Sequence, residues 1–363
     1  FFLKQKTAYE IPKRDWSSDV CSSDLAPLAL ASMRVATCIP FGNTCVLKPS
    51  EYTPLSMLRM VEIFHEAGLP PGVVNLVNGR GAVTGNALVA HPGIDMVGFT
   101  GGTVTGRAIA AAAGRNLKPV ALELGGKSAN IIFESANLEQ ALDGALDSIY
   151  RNNGQQCLAG SRILVQRSIA KRFIEAFVER ARRIRIGDPL QADTELGPLA
   201  FRQHMERVLS FAEVARSDGA KLLTGGKRAA AQPRGWFIEP TAVLAADNDA
   251  RVCREEIFGP FATFLEFDTL DEAITIANAS NFGLVNYVWS QDLNVAMRCS
   301  RDIRAGTVWI NTPMMRELRA PFGGYKESGI GRDGPQASLE FFTELKATII
   351  PIDGVKMHRF GAS

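Results

Sequence analysis

Short β-rich runs alternate with helical stretches along residues 44–124, and this alternation restricts the fold more than any other feature of the chain. The predicted strands are 44–48, 73–77, 95–99 and 120–124, and the predicted helices are 54–67, a run that ends near residue 90, and 103–113. Strands that follow one another through helices form βαβ units, and such units build a parallel sheet. We therefore predict an α/β protein.

A second series of strands and helices predicts a second domain. Its strands are 128–133, 161–166, 241–244, 285–290 and 306–310, and its helices are 138–151, a helix from Ser168, 196–220 and 271–279. Ser168 is predicted to cap an amphipathic helix with an apolar face. That face holds Ile169, Phe173, Ile174, Phe177, Ala181 and Ile184. The run ATIIPI at 347–352 predicts an exposed edge strand that pairs with a partner chain.

Composition narrows the class of protein. The chain has 363 residues, enough for two domains, and its net charge of +2 (40 basic less 38 acidic residues) does not favour nucleic acid or an anionic membrane. No apolar run is as long as a membrane-spanning helix. Six cysteines without CxxC spacing indicate free thiols in a reducing compartment such as the cytoplasm, and the four histidines lack metal-binding spacing.

Residues 1–25 differ from the rest of the chain. They have neither helical nor strand periodicity, and no apolar segment follows their basic residues as in a signal peptide. The segment resembles a translated sequencing adapter, and an unusual natural tail is the alternative. We exclude it from the fold prediction and expect it to pack poorly.

The sequence NNGQQCLAGSR at 152–162 places a single cysteine, Cys157, in a glycine- and amide-rich loop between a predicted helix and a predicted strand. A lone cysteine is usually a small buried apolar residue, and we predict that role for the other cysteines from residue 26 onward, Cys38, Cys45, Cys253 and Cys299. For Cys157 we predict a nucleophile. Glu123 stands at a predicted strand end before a double glycine, and its alternative role is a hydrogen-bonded strand-end acid.

Glycine-rich turns after the early strands are candidate cofactor contacts. The turn at 98–102, with Gly101 and Gly102, lets backbone N–H groups and a helix N-terminus approach a pyrophosphate. The run Gly79-x-Gly81-x-x-x-Gly85 lacks GxGxxG spacing and predicts only a turn and a helix start. Glu51 follows a strand end, where a carboxylate can accept from ribose hydroxyls and repels a 2′-phosphate. This favours NAD over NADP, although a solvated loop acid is the alternative.

Six ordered motifs then reveal a resemblance: LKPSE at 47–51, FTGGT at 99–103, LELGGK at 122–127, GQQC at 154–157, EEIFGP at 255–260 and PFGG at 321–324. In this order and spacing they resemble the aldehyde dehydrogenases, from residue 26 to about residue 352. The resemblance implies a Rossmann-like cofactor domain at 26–125, incomplete at its N-terminus. It also implies an α/β catalytic domain at 126–340 and, at 341–363, an oligomerisation strand and tail of a homodimer or homotetramer.

The resemblance also implies roles for single residues. Cys157 is the implied nucleophile that attacks the aldehyde and passes through a thiohemiacetal and a thioester. Glu123 is the implied base that activates water for hydrolysis. The implied NAD contacts are Lys48 and Glu51 at the adenosine ribose, Gly125 at a flexible point, Glu256 at the nicotinamide ribose and Phe258 near the nicotinamide. A solvated turn is the alternative for Glu255 and Glu256.

Two departures from the family pattern alter these expectations. Gly102 replaces a serine that holds a phosphate oxygen, and Thr103 is expected to supply the hydroxyl instead. Leu25 occupies the place of an asparagine that stabilises the oxyanion, and losing such a donor costs roughly 10²–10³ in rate. The family's N-terminal region is absent as well. We therefore expect the chain as written to fold badly alone and to be a weak or inactive catalyst, an expectation that high activity would refute.

Arg316 and Arg319 precede PFGG, at the part of the family that borders the substrate entrance. Two arginines suit a substrate that carries carboxylates, and the alternative is two surface arginines beside Glu317. The FTGGT, AGSR and RELR segments are similar to 5-carboxymethyl-2-hydroxymuconate and related hydroxymuconic semialdehyde dehydrogenases of aromatic breakdown. The expected substrate is therefore a small acidic semialdehyde.

Two other functions compete with this interpretation. A CoA-acylating semialdehyde dehydrogenase needs no hydrolytic base, so Glu123 argues against it. A non-catalytic binding or structural member of the family is the second alternative. The presence of Cys157, Glu123 and Glu256 argues against that alternative, and Leu25 leaves it open.

Overall fold

The computed structural model describes residues 2–3, 15–18 and 26–361, and side chains from residue 26 onward. Its helices are α1 Pro27–Cys38, α2 Leu55–Glu66, α3 Asn86–Ala90, α4 Thr103–Gly114, α5 Leu138–Tyr150, α6 Arg167–Arg182, α7 Arg202–Ser217, α8 Arg251–Arg254, α9 Leu270–Asn278, α10 Leu293–Asp302 and α11 Pro335–Phe342. Within the described part of the chain, no helix is long and apolar enough to span a bilayer.

The strands follow the same chain order. They are β1 Phe2–Leu3, β2 Asp15–Ser18, β3 Cys45–Leu47, β4 Val74–Leu76, β5 Ile94–Thr100, β6 Val120–Glu123, β7 Ala129–Ile132, β8 Arg162–Gln166, β9 Lys221–Thr224, β10 Thr241–Leu244, β11 Phe261–Phe267, β12 Phe282–Gly283, β13 Val285–Trp289, β14 Thr307–Ile310, β15 Tyr325–Lys326, β16 Gly329–Ile330 and β17 Leu345–Lys346.

Two mainly parallel sheets organise the protein, as the βαβ pattern predicted. The first has the order β16-β6-β5-β2-β3-β4, with β16 antiparallel at one edge. The second has the order β14-β13-β7-β8-β11-β10-β9, with β9 antiparallel at the opposite edge. Parallel strands are covered on both faces and are therefore apolar along most of their length. In β7, Ala129, Ile131 and Ile132 are all fully buried.

Helix α6 shows how the apolar pattern becomes a packed face. Phe173, Phe177 and Ala181 recur at intervals of four residues and are buried, as predicted. The ring of Phe177 meets Phe264 of β11 edge-on, with ring centroids 5.0 Å apart. The predicted cap is wrong, because the helix begins at Arg167 with no side-chain cap at Gln166. The Ser168 hydroxyl lies inside the first turn and donates to Glu134 instead (2.7 Å).

The first 25 residues contribute more to the sheet than expected. Strand β2, residues 15–18, lies between β3 and β5 and pairs with both in parallel. The prediction of poor packing is therefore wrong for these four residues. A sheet ladder is made by backbone groups, which every non-proline residue carries, so an atypical sequence can still pair. Leu25, with residues 4–14 and 19–24, lies outside the described residues.

The predicted C-terminal strand has no neighbouring strand within the described chain, and its pairing with a partner chain stays a prediction. Residues 347–352 form no strand in the single chain, and Ile349 and Ile352 are 91% and 97% exposed. Two earlier residues, Leu345 and Lys346, pair instead with Phe2 and Leu3. A strand requires a neighbour for its N–H and C=O groups, and no strand of the described chain lies beside 347–352.

Candidate active site

A cavity of about 650 Å³ opens where β3, β5 and β6 end. These strands are parallel members of one sheet, so their carboxyl ends meet at one edge and their following loops face a common space. Nine residues that the sequence predicted as catalytic or cofactor-binding line this cavity. They are Lys48, Glu51, Gly101, Gly102, Glu123, Gly125, Cys157, Glu256 and Phe258.

The loop that carries Cys157 has an unusual backbone. Asn152 and Asn153 both have positive φ angles, 53° and 59°, a conformation that asparagine tolerates better than most residues. The Asn153 side chain accepts from the Gly197 N–H (2.9 Å) and donates to the Pro198 carbonyl (2.9 Å). A methyl group on Gly154 would lie 2.1 Å from the Gly259 carbonyl oxygen. The loop is therefore fixed directly against the EEIFGP segment.

Cys157 is half-buried and lines the cavity. Burial raises the pKa of its thiol to about 12, the negative charges of Glu256 and Glu123 add to the rise, and Arg316 opposes it. Cys38, Cys45, Cys253 and Cys299 are buried free thiols, as predicted. Cys157 differs from them because it faces a cavity that also contains the carboxyl groups of Glu51, Glu123 and Glu256.

Glu123 ends β6 and is only 7% exposed. Its Oε2 atom has no hydrogen-bond partner among the described residues, which argues against the alternative of a hydrogen-bonded strand-end acid. Burial raises the pKa of Glu123 to about 8, and the nearby charge of Asp333 adds to the rise while that of Arg34 opposes it. A carboxyl group that titrates near neutral pH and has a free oxygen can accept or release a proton in the cavity.

The double glycine after Glu123 lets two loops approach each other. The Oε1 atom of Glu256 accepts from the Gly126 N–H (2.9 Å), and a methyl group on Gly126 would lie 2.5 Å from the Cys157 carbonyl oxygen. Burial raises the pKa of Glu256 to about 7, against the opposing effects of the Gly126 hydrogen bond and the Lys127 charge. Glu256 is therefore a half-buried carboxyl group held by a hydrogen bond and not a solvated turn residue.

Lys48 and Glu51 hold the opposite end of the cavity. The Lys48 ammonium is buried and donates to the carbonyls of Pro49 (2.8 Å) and Gly79 (3.3 Å). Glu51 is exposed, and its carboxylate accepts from the Gly81 N–H (3.2 Å). The turn at 79–81 is thus tied to the LKPSE loop. As predicted, this glycine run forms a turn followed by a helical start, a π-helical turn at Gly81–Gly85.

The glycine turn at 98–102 leads into α4, whose N-cap is Gly102. The Gly101 N–H donates to the Glu123 carbonyl (3.0 Å), so this amide is engaged within the sheet edge. A methyl group on Gly102 would meet nothing within 4 Å, so the space above the helix N-terminus is open. The Thr103 hydroxyl donates weakly to the Glu327 carbonyl (3.5 Å). In this arrangement it does not replace the serine hydroxyl as expected.

The two predicted substrate arginines lie outside the cavity lining and differ from each other. The Arg316 guanidinium lies 4.2 Å from the centre of the Phe322 ring, and its charge lowers the pKa of both Cys157 and Glu123. Arg319 instead donates through Nε and NH2 to Glu317, both at 2.8 Å. Of these two predicted substrate arginines, Arg316 is therefore the one whose charge acts on Cys157 and Glu123.

Several residues around the site were not predicted. Tyr52 lines the cavity and stacks on Phe201, with ring centroids 4.2 Å apart. Arg34 and Asp333 form a partly buried ion pair (2.5 Å) whose two charges act on Glu123. Tyr52 follows Glu51 directly, which was an available signal. The partners Arg34 and Asp333 are 299 residues apart, and no local pattern connects them.

Known proteins resemble this chain over nearly all of its described length. It matches the Aldehyde dehydrogenase family over residues 26–348. It is 44% identical over 322 residues to the betaine aldehyde dehydrogenase of Bacillus subtilis (strain 168), which covers 88% of this chain and 66% of that protein. The chain thus spans just under two thirds of the length of that relative.

Solved structures agree with this match. The structure of HpcC from Thermus thermophilus is similar with a TM-score of 0.92 and 41% identity, covering 95% of this chain and 68% of that one. The betaine aldehyde dehydrogenase of Staphylococcus aureus, solved in complex with NAD⁺, gives a TM-score of 0.87 and 41% identity. The match covers 90% of this chain and 65% of that one. By sequence and by fold, the chain belongs to the aldehyde dehydrogenase family.

Proposed function

We propose that this chain oxidises an aldehyde to a carboxylate with NAD⁺ as the hydride acceptor. One observation carries the proposal: a single cavity contains the Cys157 thiol and a Glu123 carboxyl oxygen that has no hydrogen-bond partner among the described residues, beside polar groups suited to a dinucleotide. We further propose that residues 26–125 bind the cofactor, that 126–340 carry out catalysis, and that 341–363 contribute to a homo-oligomer.

The residues present suit NAD⁺. The cavity of about 650 Å³ is large enough for an extended cofactor that is partly open to solvent. Lys48 and Glu51 would hold the adenosine ribose, and the open N-terminus of α4 at Gly102 would hold the pyrophosphate. Glu256 and Phe258 would hold the nicotinamide riboside. The exposed carboxylate of Glu51 favours NAD⁺ over NADP⁺, because a 2′-phosphate beside it would be repelled. When bound, NAD⁺ supplies a hydride acceptor.

The first chemical role belongs to Cys157. Its sulfur attacks the carbonyl carbon of the aldehyde, a C–S bond forms as the C=O π bond opens, and the oxygen takes up a proton to give a thiohemiacetal on the enzyme. The raised pKa of the thiol, about 12, means that a base has to take its proton. Glu123 lies in the same cavity with a pKa of about 8 and an unpartnered oxygen, which suits it to that task. Loss of hydride from the thiohemiacetal carbon and a proton from its oxygen then leaves a thioester on Cys157.

The second role belongs to Glu123. The thioester has to be hydrolysed, and the Glu123 carboxylate takes a proton from water while the water oxygen attacks the thioester carbon. The C–S bond breaks, the carboxylic acid leaves, and the Cys157 thiolate is restored. A buried glutamate with an unpartnered oxygen favours hydrolysis over transfer of the acyl group to CoA.

We propose an acidic semialdehyde as the substrate. The support is Arg316, whose positive charge acts on both Cys157 and Glu123 from beside the Phe322 ring. A guanidinium at this position can hold a carboxylate of the substrate while the aldehyde group reaches the thiol.

Reaction of the purified chain with NAD⁺ and an aldehyde tests the proposal. Succinic semialdehyde and the neutral aldehyde pentanal are compared, and NADH and the carboxylic acid are measured, with and without CoA. We expect NADH and acid in equal amounts, at the low rate predicted for the chain as written, and a preference for the acidic aldehyde. Acyl-CoA as the main product, or NADH formation that survives Cys157→Ser, would contradict the proposed reaction.

A further inference from the structure

Helix α7 holds the segment 256–258 by three successive backbone carbonyls. Arg207 donates through NH2 to the Glu256 carbonyl (2.7 Å) and through NH1 to the Ile257 carbonyl (2.8 Å). His204, one turn earlier, lies 2.7 Å through Nε2 from the Phe258 carbonyl. A carbonyl oxygen only accepts, so Nε2 carries the proton and donates. Two side chains at i and i+3 on one helix therefore bind three consecutive peptide groups.

The held segment has a backbone that requires such support. Phe258 has a φ angle of 62°, which is uncommon for a residue with a bulky side chain. Among the described residues, the carbonyls of Glu256, Ile257 and Phe258 accept from no backbone N–H. A methyl group on Gly259 would lie 2.8 Å from the Val208 side chain, so the segment also packs directly on α7.

The orientation of this segment decides what faces the cavity. Both Glu256 and Phe258 line it, and the Glu256 carboxylate reaches across to the Gly126 N–H. We propose that His204 and Arg207 are positioning residues, which fix the 256–258 backbone so that Glu256 and Phe258 are presented to the nicotinamide end of the cofactor. This inference rests on the proposed function for its ligand and on the contacts of α7 for its geometry.

The adenosine end of the cavity supplies an internal comparison. Lys48 and Glu51 are held by Pro49, Gly79 and Gly81. Loss of the α7 hydrogen bonds should therefore weaken the binding of ligands that reach the nicotinamide end. It should leave the binding of ligands confined to the adenosine end unchanged. A general loss of stability would weaken both classes alike.

Binding of NADH and of AMP by the purified chain and its variants tests this split. Arg207→Met should weaken NADH binding by at least about ten-fold, because hydrogen bonds from a charged donor are lost, and should change AMP binding little. His204→Ala should act in the same direction, and His204→Gln should restore NADH binding because its amide can donate to the Phe258 carbonyl. Arg216→Met is the matched control, since Arg216 lies on α7 and pairs with Glu213 away from the segment.

Amide hydrogen exchange without any ligand provides a second measurement. Peptides that cover 255–260 should exchange faster in Arg207→Met and His204→Ala than in the unsubstituted chain, and no faster in Arg216→Met. Unchanged exchange in this segment, or equal losses of NADH and AMP binding, would overturn the inference. A chain that binds neither nucleotide contradicts the proposed function instead, and the exchange rates alone then decide the positioning role.

Discussion

Glu256 lies so close to Gly125 that a methyl group on Gly125 would stand 2.3 Å from Oε2 of the carboxylate. Replacement of Gly125 by alanine therefore has to displace Glu256 or the loop that follows Glu123. We expect Gly125→Ala to weaken NADH binding by about ten-fold or more, because Glu256 would lose its hydrogen bond from Gly126. Gly114→Ala is the control, as a methyl group there meets nothing within 4 Å. Equal NADH affinities in titrations of the two variants would contradict the expectation.

The buried carboxyl group of Glu123 should make stability depend on pH. Its pKa is raised from 4.5 to about 8, so the folded chain binds this proton more tightly than the unfolded chain. The stabilisation of the fold that comes from this tighter proton binding is present below pH 4.5. It is lost as the pH rises toward about 8 and stays lost above that pH. The urea midpoint of unfolding should therefore fall less between pH 4.5 and about pH 8 in Glu123→Gln than in the unsubstituted chain. The exposed residue Glu175 on α6 supplies the control Glu175→Gln, which should leave the slope unchanged.

The two arginines before PFGG should contribute unequally to substrate binding. Arg316→Ala is expected to raise KM for succinic semialdehyde by about ten-fold and to change KM for pentanal little, because one charge-assisted hydrogen bond is lost. Arg319→Ala should have a smaller effect, since Glu317 already accepts two hydrogen bonds from that guanidinium. If Arg316→Ala raises both KM values equally, the acidic substrate class is wrong.

Arg162 is a fully buried residue whose loss should destabilise the fold. It donates to the carbonyls of Lys127, Ile276 and Ala277 at 2.9–3.0 Å. Arg162→Leu leaves these acceptors unsatisfied, and we expect the free energy of unfolding to fall by about 3–5 kcal/mol in urea titrations. Arg183→Leu removes an exposed partner of Glu179 and should change the free energy of unfolding by less than about 0.5 kcal/mol. Similar losses in both variants would show that the buried network contributes little.

The predicted catalytic and cofactor residues line one cavity because their motifs follow strand ends. Lys48, Gly101 and Glu123 each stand at or just after the carboxyl end of a strand, and parallel strands bring those ends together. The β-rich runs and the turn glycines indicated Glu51 and the turn at 98–102. The roles of Glu256 and Phe258 were implied only by the family resemblance.

Contacts between distant residues could not be predicted in this way. Ser168 was expected to cap α6 but donates to Glu134, and the expected hydroxyl of Thr103 is directed to Glu327. The spacing of His204 and Arg207 was visible in a predicted helix, yet their partners are carbonyls 49–54 residues away. Such bonds depend on tertiary packing, which local propensity does not encode.

Among the elements absent from the prediction, β11 and α10 were missed for a different reason. Strand β11 is buried at six of its seven positions, so it lacks the polar alternation that marks a half-buried strand. Helix α10 is only ten residues long and buries only Ala296 and Cys299. Its start is fixed instead by the Asp292 side chain, which accepts from the Asn294 and Val295 N–H groups.

The most direct test of the central claim uses Glu123→Gln with NAD⁺ and succinic semialdehyde. Mass spectrometry of the peptide that contains Cys157 should show an acyl adduct with one NADH formed for each adduct, and the adduct should form more slowly than in the unsubstituted chain because Glu123 no longer takes the thiol proton. Its hydrolysis should be slower than in the unsubstituted chain by about 10² or more, as expected for loss of a general base. NADH formation without an adduct on Cys157, or hydrolysis at the unsubstituted rate, would contradict the roles assigned to Cys157 and Glu123.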